Sequence, residues 1–166
     1  MKKNKEIIIG VTGSVAAYKA CDIISVLRKA GCNVTAIMTK EAVEFVTPLL
    51  FESITANRVY TDMFKTPEIL DPLHISLAKK ADLILIAPAT ANIIAKLACG
   101  ICDDLLTCAV ISTKAPVLIA PAMNTNMYEH KATQENIRRL KSFGYKFIGP
   151  SSGRLACGDT GIGHIA

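Results

Sequence analysis

The sequence predicts a single α/β domain built around a doubly wound parallel sheet. Three observations lead there. Short, unbroken apolar runs recur along the chain, as expected of strands buried on both faces. Segments with helical periodicity separate those runs. The composition agrees: 51% of residues are hydrophobic but only 5% aromatic, with Ala, Ile, Leu and Val prominent. That mixture suits helix-covered parallel strands better than an antiparallel sandwich. At 166 residues the chain is long enough to bury a core without disulfides, and it is read as one domain.

The elements follow in order. Ile7–Val11 is a short buried strand, and the helical period from Ala16 to Ala30 stops at Gly31. Asn33–Met38 is the second strand. A short helix starts at Lys40, and Pro48 opens another that runs to about Ala56. Asn57–Pro72 reads as a surface excursion, punctuated by Pro67 and Pro72. A helix from His74 to Lys80 precedes the strongest strand, Asp82–Ala87. A helical stretch, Ala91–Ile111, leads to the strand Val117–Ala120. Thr133–Phe143 is a helix closed by Gly144, and Tyr145–Ile148 is the fifth strand. Strands alternating with helices imply βαβ units and a Rossmann/flavodoxin-like sheet, with ligands at the carboxyl ends of its strands.

Several function classes drop out. The net charge of +5 is mild, and its Lys and Arg residues form only short clusters at Met1–Lys5, Lys79-Lys80 and Arg138-Arg139. A nucleic-acid binder would show a basic stripe with interleaved aromatics, so no nucleic-acid partner is expected. A small phosphorylated or carboxylated substrate fits better. No apolar run is long enough to cross a bilayer, so no membrane partner is expected. The apolar stretch after the basic start is short and contains Gly10 and Gly13, unlike a secretory signal, and the expected location is the cytoplasm. Six cysteines there should be reduced thiols. Cys21, Cys32 and Cys108 sit in apolar helical contexts as small core residues. Cys99 and Cys102 form a C-x-x-C, but within a helical segment and without a second pair; core packing is expected of them. The three histidines lack ligand spacing, and no metal is expected.

Four loops and the tail carry the chemistry. Gly10-Val11-Thr12-Gly13-Ser14 follows the first strand as G-x-x-G-S, neither the dinucleotide G-x-G-x-x-G nor a P-loop, since no phosphate-gripping Lys follows. It favours a mononucleotide phosphate, with Ser14 as donor; a tight turn with a capping Ser reads equally well. Thr39 closes the second strand, as ligand contact or as helix cap. Ala87-Pro88-Ala89-Thr90-Ala91-Asn92 leaves room for a flat ring or a polyol chain, with Thr90 and Asn92 as polar anchors, although Thr90 also serves as an ordinary cap. Pro121-Ala122-Met123-Asn124-Thr125-Asn126-Met127-Tyr128 holds more polar residues than a cap requires. Beyond the fifth strand, Ser151–Gly163 has four glycines, Arg154 and Cys157, and no helical or strand period. It reads as a disordered end or a mobile flap.

Together these segments resemble the flavin-dependent cysteine decarboxylases along nearly the whole chain. The resemblance rests on Gly13-Ser14-Val15, Leu73-His74-Ile75, Ala87–Asn92, Pro121–Tyr128 and Ala156-Cys157-Gly158-Asp159. The Pro-x-Met-Asn-x-x-Met pattern marks the decarboxylases, and Ala-Cys-Gly-Asp points to the branch serving coenzyme A biosynthesis. It implies FMN-dependent decarboxylation of 4'-phosphopantothenoylcysteine to 4'-phosphopantetheine: thiol oxidation to a thioaldehyde, loss of carbon dioxide, and re-reduction of the enethiol. The alternatives are a lantibiotic-type peptidyl-cysteine decarboxylase and a non-catalytic FMN-binding regulator. By the same resemblance Gly13, Ser14, Val15, Thr39, Thr90, Ala91, Asn92 and Ala122 contact FMN. His74 is the active-site base, Asn124 holds the substrate carboxylate, and Cys157 is the proton donor. Arg154, Leu155 and Ala156 join a substrate clamp spanning 151–166. The implied assembly is a homotrimer or dodecamer with sites at subunit interfaces, alongside a fused or separate phosphopantothenoylcysteine synthetase. Tyr128 stands where the family often has Trp; another aromatic surface suffices.

Overall fold

A computed structural model describes residues 4–64, 72–154, 158 and 160–166. Its main sheet contains β1 (Glu6–Val11), β2 (Asn33–Met38), β3 (Leu83–Ala89), β4 (Val117–Pro121) and β5 (Lys146–Phe147). They pair in the order β2-β1-β3-β4-β5, parallel throughout. This is the doubly wound arrangement predicted, and the order reverses direction between β1 and β3.

Successive strand residues point to opposite faces, so each strand feeds two cores. Ile7, Ile9 and Val11 of β1 join Leu85 and Ala87 of β3 on one face. There they meet Ala20 and Ile24 of α1 (Lys19–Lys29) and Phe51 of α3 (Pro48–Thr55). Ile8, Ile84, Ile86 and Ile119 project to the other face. That face is covered by α4 (Leu73–Lys80), α5 (Ala91–Cys99), α6 (Leu105–Ser112) and α8 (Lys131–Ser142), with α7 (Thr125–Glu129) as a short turn beside them, whereas α2 (Lys40–Val43) buries Ala42 in the core of the first face. No helix among the described residues is long and apolar enough to cross a membrane.

Four expectations need correction. The presumed excursion begins as part of the sheet: Tyr60 N donates to Ala36 O at 3.0 Å, and Met38 N donates to Tyr60 O at 2.9 Å. Val59 is buried there; Pro67 lies outside the described residues. The stretch Ala91–Ile111 is two helices. Gly100 turns the chain out with φ +72°, and Asp104 restarts it through a capping box with Thr107. Cys99 and Cys102 flank that break and are exposed, so core packing does not hold for them. Finally, the tail carries an antiparallel hairpin, β6 (Ser151–Arg154) with β7 (Thr160–His164). Its ladder is made by backbone groups, and β7 interrupts its side chains with Gly161 and Gly163, which hides any strand period.

Gly10 sits where β1 packs against Leu106 of α6. A Cβ there would lie 2.5 Å from Cδ1 of Leu106, itself fully buried. Gly10→Ala should therefore lower unfolding free energy by about 1–3 kcal/mol through overpacking. Leu106→Ala should cost less in the Gly10→Ala background than in the wild type. Urea denaturation of the four proteins of this cycle checks the coupling.

Candidate functional site at the sheet switch point

Where a doubly wound sheet reverses, the chain leaves two adjacent strands toward opposite faces and opens a crevice. Here the crevice lies over the carboxyl ends of β1 and β3. It is a cleft of about 240 Å3 lined by Thr12, Gly13, Thr39, Glu41, Thr90, Ala91, Asn92, Ile93, Asp104 and Met127. Five of the eight residues expected at FMN therefore share one cavity: Gly13, Thr39, Thr90, Ala91 and Asn92. A neighbouring hollow of about 330 Å3 shares Thr39, Glu41 and Asp104 with it.

One buried hydroxyl joins the two diverging loops. Thr12 Oγ1 donates to Pro88 O at 2.7 Å and accepts from Thr90 N at 3.1 Å, with Thr12 only 2% exposed. Pro88 has no N–H, and the β3–β4 register shifts between Ile86 and Ala89, so side-chain contacts replace ladder bonds there. Helix starts then converge on the cleft. Thr90 Oγ1 caps α5 by accepting from Ile93 N at 3.3 Å, and Thr39 Oγ1 caps α2 by accepting from Ala42 N at 3.3 Å. Ser14 Oγ caps the 3-10 turn Val15–Tyr18 by accepting from Ala16 N at 3.2 Å. The capping reading and the ligand reading are compatible, because each hydroxyl accepts from its helix and keeps a proton to donate.

The remaining predicted residues are placed differently. Ser14 and Val15 continue the Gly13 loop but do not line the cleft, and Val15 is exposed. Ala122 is buried behind it, tied by its N–H to Ala89 O at 3.0 Å. Asn124 caps α7 through Oδ1, which accepts from Asn126 N at 2.9 Å. His74 occupies the first turn of α4, off the cleft, with Nδ1 buried and without a hydrogen-bond partner among the described residues. Arg154 takes part in the backbone ladder of β6; Leu155, Ala156 and Cys157 lie outside the described residues.

Sequence reasoning missed Thr12, Glu41, Asp104 and Met127. Thr12 and Met127 stand inside segments already singled out, whereas the carboxylates arrive by folding alone. Asp104 is committed locally: Oδ1 accepts from Thr107 N at 2.8 Å, and Oδ2 lies 3.3 Å from Lys96 Nζ. Lys96 also meets Asp103 at 2.8 Å, and that contact holds the Asp103 carboxyl below its ordinary range and pushes the Lys96 ammonium up. Among the described residues no group of three or more His, Cys, Asp or Glu could hold a metal ion.

The donors facing the cleft are hydroxyls, an amide and backbone N–H groups at helix starts, a set suited to a phosphate and a polyhydroxy chain. Flavin mononucleotide presents both. The cleft of about 240 Å3 and the hollow of about 330 Å3 that adjoins it at Thr39, Glu41 and Asp104 together reach the roughly 300–1,000 Å3 of ligand sites.

A family model described as Flavoprotein matches residues 1–166. The chain is 50% identical to the coenzyme A biosynthesis bifunctional protein CoaBC of Bacillus subtilis, over 99% of this chain and 41% of that protein. It thus spans about two fifths of that bifunctional relative. It is 46% identical to a probable phosphopantothenoylcysteine decarboxylase of Streptococcus mutans, over 98% of this chain and 92% of that one. Among solved structures, a PPC decarboxylase mutant complexed with pantothenoylaminoethenethiol is similar at a TM-score of 0.90 and 33% identity, covering 99% of this chain and 92% of that chain. The FMN-dependent cysteine decarboxylase SpaF is similar at a TM-score of 0.86 and 32% identity, covering 96% and 89%.

If Thr12 joins the two loops, Thr12→Val should leave Pro88 O and Thr90 N–H buried without partners. The expected loss is about 1–3 kcal/mol for each group left unsatisfied. Hydrogen exchange should quicken first at the start of α5. Thr12→Ser keeps the hydroxyl and should stay near wild type in both measurements.

Proposed function

Because the chain belongs to the flavoprotein family, we propose that it is an FMN-dependent decarboxylase of 4'-phosphopantothenoylcysteine, forming 4'-phosphopantetheine in coenzyme A biosynthesis. The observation that carries this reading is the switch-point cleft, where the loops matching the cysteine decarboxylases meet with donors for a phosphate and a polyol. Identities of 46–50% to proteins named for coenzyme A biosynthesis or for this decarboxylation favour this substrate.

Bound FMN supplies the redox step, an electron sink that turns the cysteine thiol into a thioaldehyde so that its carboxylate can depart. The chain's own groups bind, orient and move protons. Gly13, Ser14 and Val15 hold the phosphate; Thr39, Thr90, Ala91 and Asn92 hold the chain and ring, and Ala122 packs at its side. Asn124 receives the substrate carboxylate. Fixing its Oδ1 on the Asn126 amide sets which end of the side chain donates, and a neutral amide avoids burying a second charge. His74 is the base that takes the thiol proton; its Nδ1 has no hydrogen-bond partner among the described residues and leaves a position for a further polar group. Cys157 returns a proton to the enethiolate, and Arg154, Leu155 and Ala156 close on the substrate.

The buried Nδ1 of His74, without a hydrogen-bond partner among the described residues, also supports assembly as a homotrimer or dodecamer, with each site completed by a neighbour. Val15 and Tyr18, 54% and 56% exposed beside the phosphate loop, provide apolar surface for such a contact. The reading places the protein in the cytoplasm with a fused or separate synthetase as partner. Light scattering should return a multiple of three chains; a monomer would remove the shared-site part.

Purified protein should show flavin absorbance, and adding 4'-phosphopantothenoylcysteine should yield a product lighter by one carbon dioxide. A protein that is colourless and cannot be reconstituted with FMN sinks the reading. Asn124→Asp should keep the flavin and lose at least about a hundredfold in kcat/KM, through repulsion of the substrate carboxylate in a low-dielectric site. Cys157→Ser should still release carbon dioxide but accumulate the oxidised enethiol, seen by mass two hydrogens below the normal product.

A further inference from the structure

The C-x-x-C motif has no role in the reading above, and the fold divides it. Cys99 stands on the last turn of α5. Gly100 then turns the chain out with φ +72°, so Cys102 belongs to the link between α5 and α6. That link brings Cys102 onto Cys108 of α6 instead. Cys108 Sγ donates to Cys102 O at 3.4 Å, and Cys102 Sγ donates to Gly100 O at 3.8 Å. Burial pushes the Cys108 thiol up from its ordinary range, and the Cys102 thiol adds to this by its charge and by a side-chain hydrogen bond. The two thiols therefore face one another across the link, Cys102 open to solvent and Cys108 half-buried.

Such a pair meets an oxidant differently from two isolated thiols. A low-molecular-weight disulfide reaches the exposed Cys102 first, whereas burial keeps Cys108 protonated and covered. Cys102 gives up its proton and its thiolate attacks one sulfur of that disulfide. The small S–S bond breaks, one thiol leaves, and Cys102 is held in a mixed disulfide. Cys108 then loses its proton, attacks the Cys102 sulfur and displaces the second thiol. Two protein thiols are oxidised to one S–S bond, and one small disulfide is reduced to two thiols.

The bond would enclose Asp103 and Asp104. Asp104 lines the cleft and starts α6 by accepting from Thr107 N at 2.8 Å through its side chain and from Cys108 N at 3.0 Å through its carbonyl. Asp103 meets Lys96 at 2.8 Å. We propose that Cys102 and Cys108 are a dithiol–disulfide pair whose oxidation fastens the Asp103–Asp104 link at the border of the cleft. A covalent closure there restricts the local opening that would break those contacts. The pairing holds whatever ligand the cleft takes; its effect on flavin release alone rests on the FMN reading.

The test treats the flavin-bound protein with oxidised glutathione, alongside Cys99→Ser and Cys108→Ser. Peptide mapping should find Cys102 joined to Cys108 in the wild type and equally in Cys99→Ser. Cys108→Ser should stop at the mixed disulfide, with glutathione on Cys102. In the oxidised wild type, hydrogen exchange at the Thr107 and Cys108 amides should slow about tenfold, with β1 and β3 unchanged, and flavin should dissociate more slowly. Dithiothreitol should reverse these changes, and Cys108→Ser should show none of the slowing. The proposal is overturned if Cys102 joins Cys99, if glutathione remains on Cys102 in the wild type, or if the bond forms and exchange at Thr107 and Cys108 is unchanged. If the protein takes up no FMN, the cofactor reading fails by itself, while the peptide map and the exchange pattern still decide the pair.

Discussion

The site depends on how the sheet handles its own reversal. β1 and β3 are hydrogen-bonded neighbours, yet the chain leaves them in opposite directions, so the ladder cannot continue past their ends. Polar backbone groups at that mouth need other partners. Thr12 supplies them with a single side chain, and the bonds around it form a line across the carboxyl edge. Thr39 N reaches Val11 O, Thr12 reaches Pro88 and Thr90, Ala122 N reaches Ala89 O, and Met123 N reaches Gly163 O. The loops that follow β1, β2, β3 and β4 are each anchored to a neighbouring segment in this line. The ligand-facing groups are consequently held by bonds made whether or not a ligand is present, which is what preorganisation requires.

The electrostatics follow from the same economy. Anion affinity comes from helix starts and hydroxyls rather than from a basic cluster, so the mild net charge of the chain is sufficient. Two carboxylates at the cleft would seem to oppose a phosphate. Asp104, however, spends its charge on the Thr107 amide and Lys96, and the Lys96–Asp103 contact anchors the loop that brings it there. Asp103 titrates below its ordinary range, so its share of that anchoring is present at neutral pH and fades only as pH falls through that lowered value. Being exposed, it contributes a modest amount.

How much of this was legible in the sequence tracks how each feature is encoded. Strands buried on both faces announce themselves as apolar runs, and Ile7–Val11, Asn33–Met38 and Val117–Ala120 fell within a residue or so of the observed limits. Their ends carry the loops, and five of the residues named from the resemblance line one cleft there. Features built from backbone contacts left no such mark. The Tyr60 bridge to β2 and the glycine-bearing hairpin bury few side chains, and no period betrays them. The break at Gly100 was hidden because apolar residues on both sides preserve the appearance of one helix; only the positive φ of Gly100 and the Asp104 cap divide it. The contacts of Thr12 are long-range, made between residues 76 and 78 positions apart, and no local pattern foretells them.

The separation of His74 from the cleft has a consistent physical meaning. Among the described residues the imidazole Nδ1 of His74 is buried without a hydrogen-bond partner, in the first turn of α4 and off the cleft. A buried polar atom without a partner is destabilising by about 1–3 kcal/mol. On the reading proposed above, a second copy of the chain that brings a polar group to the ring relieves that cost, and assembly is then part of the catalytic device.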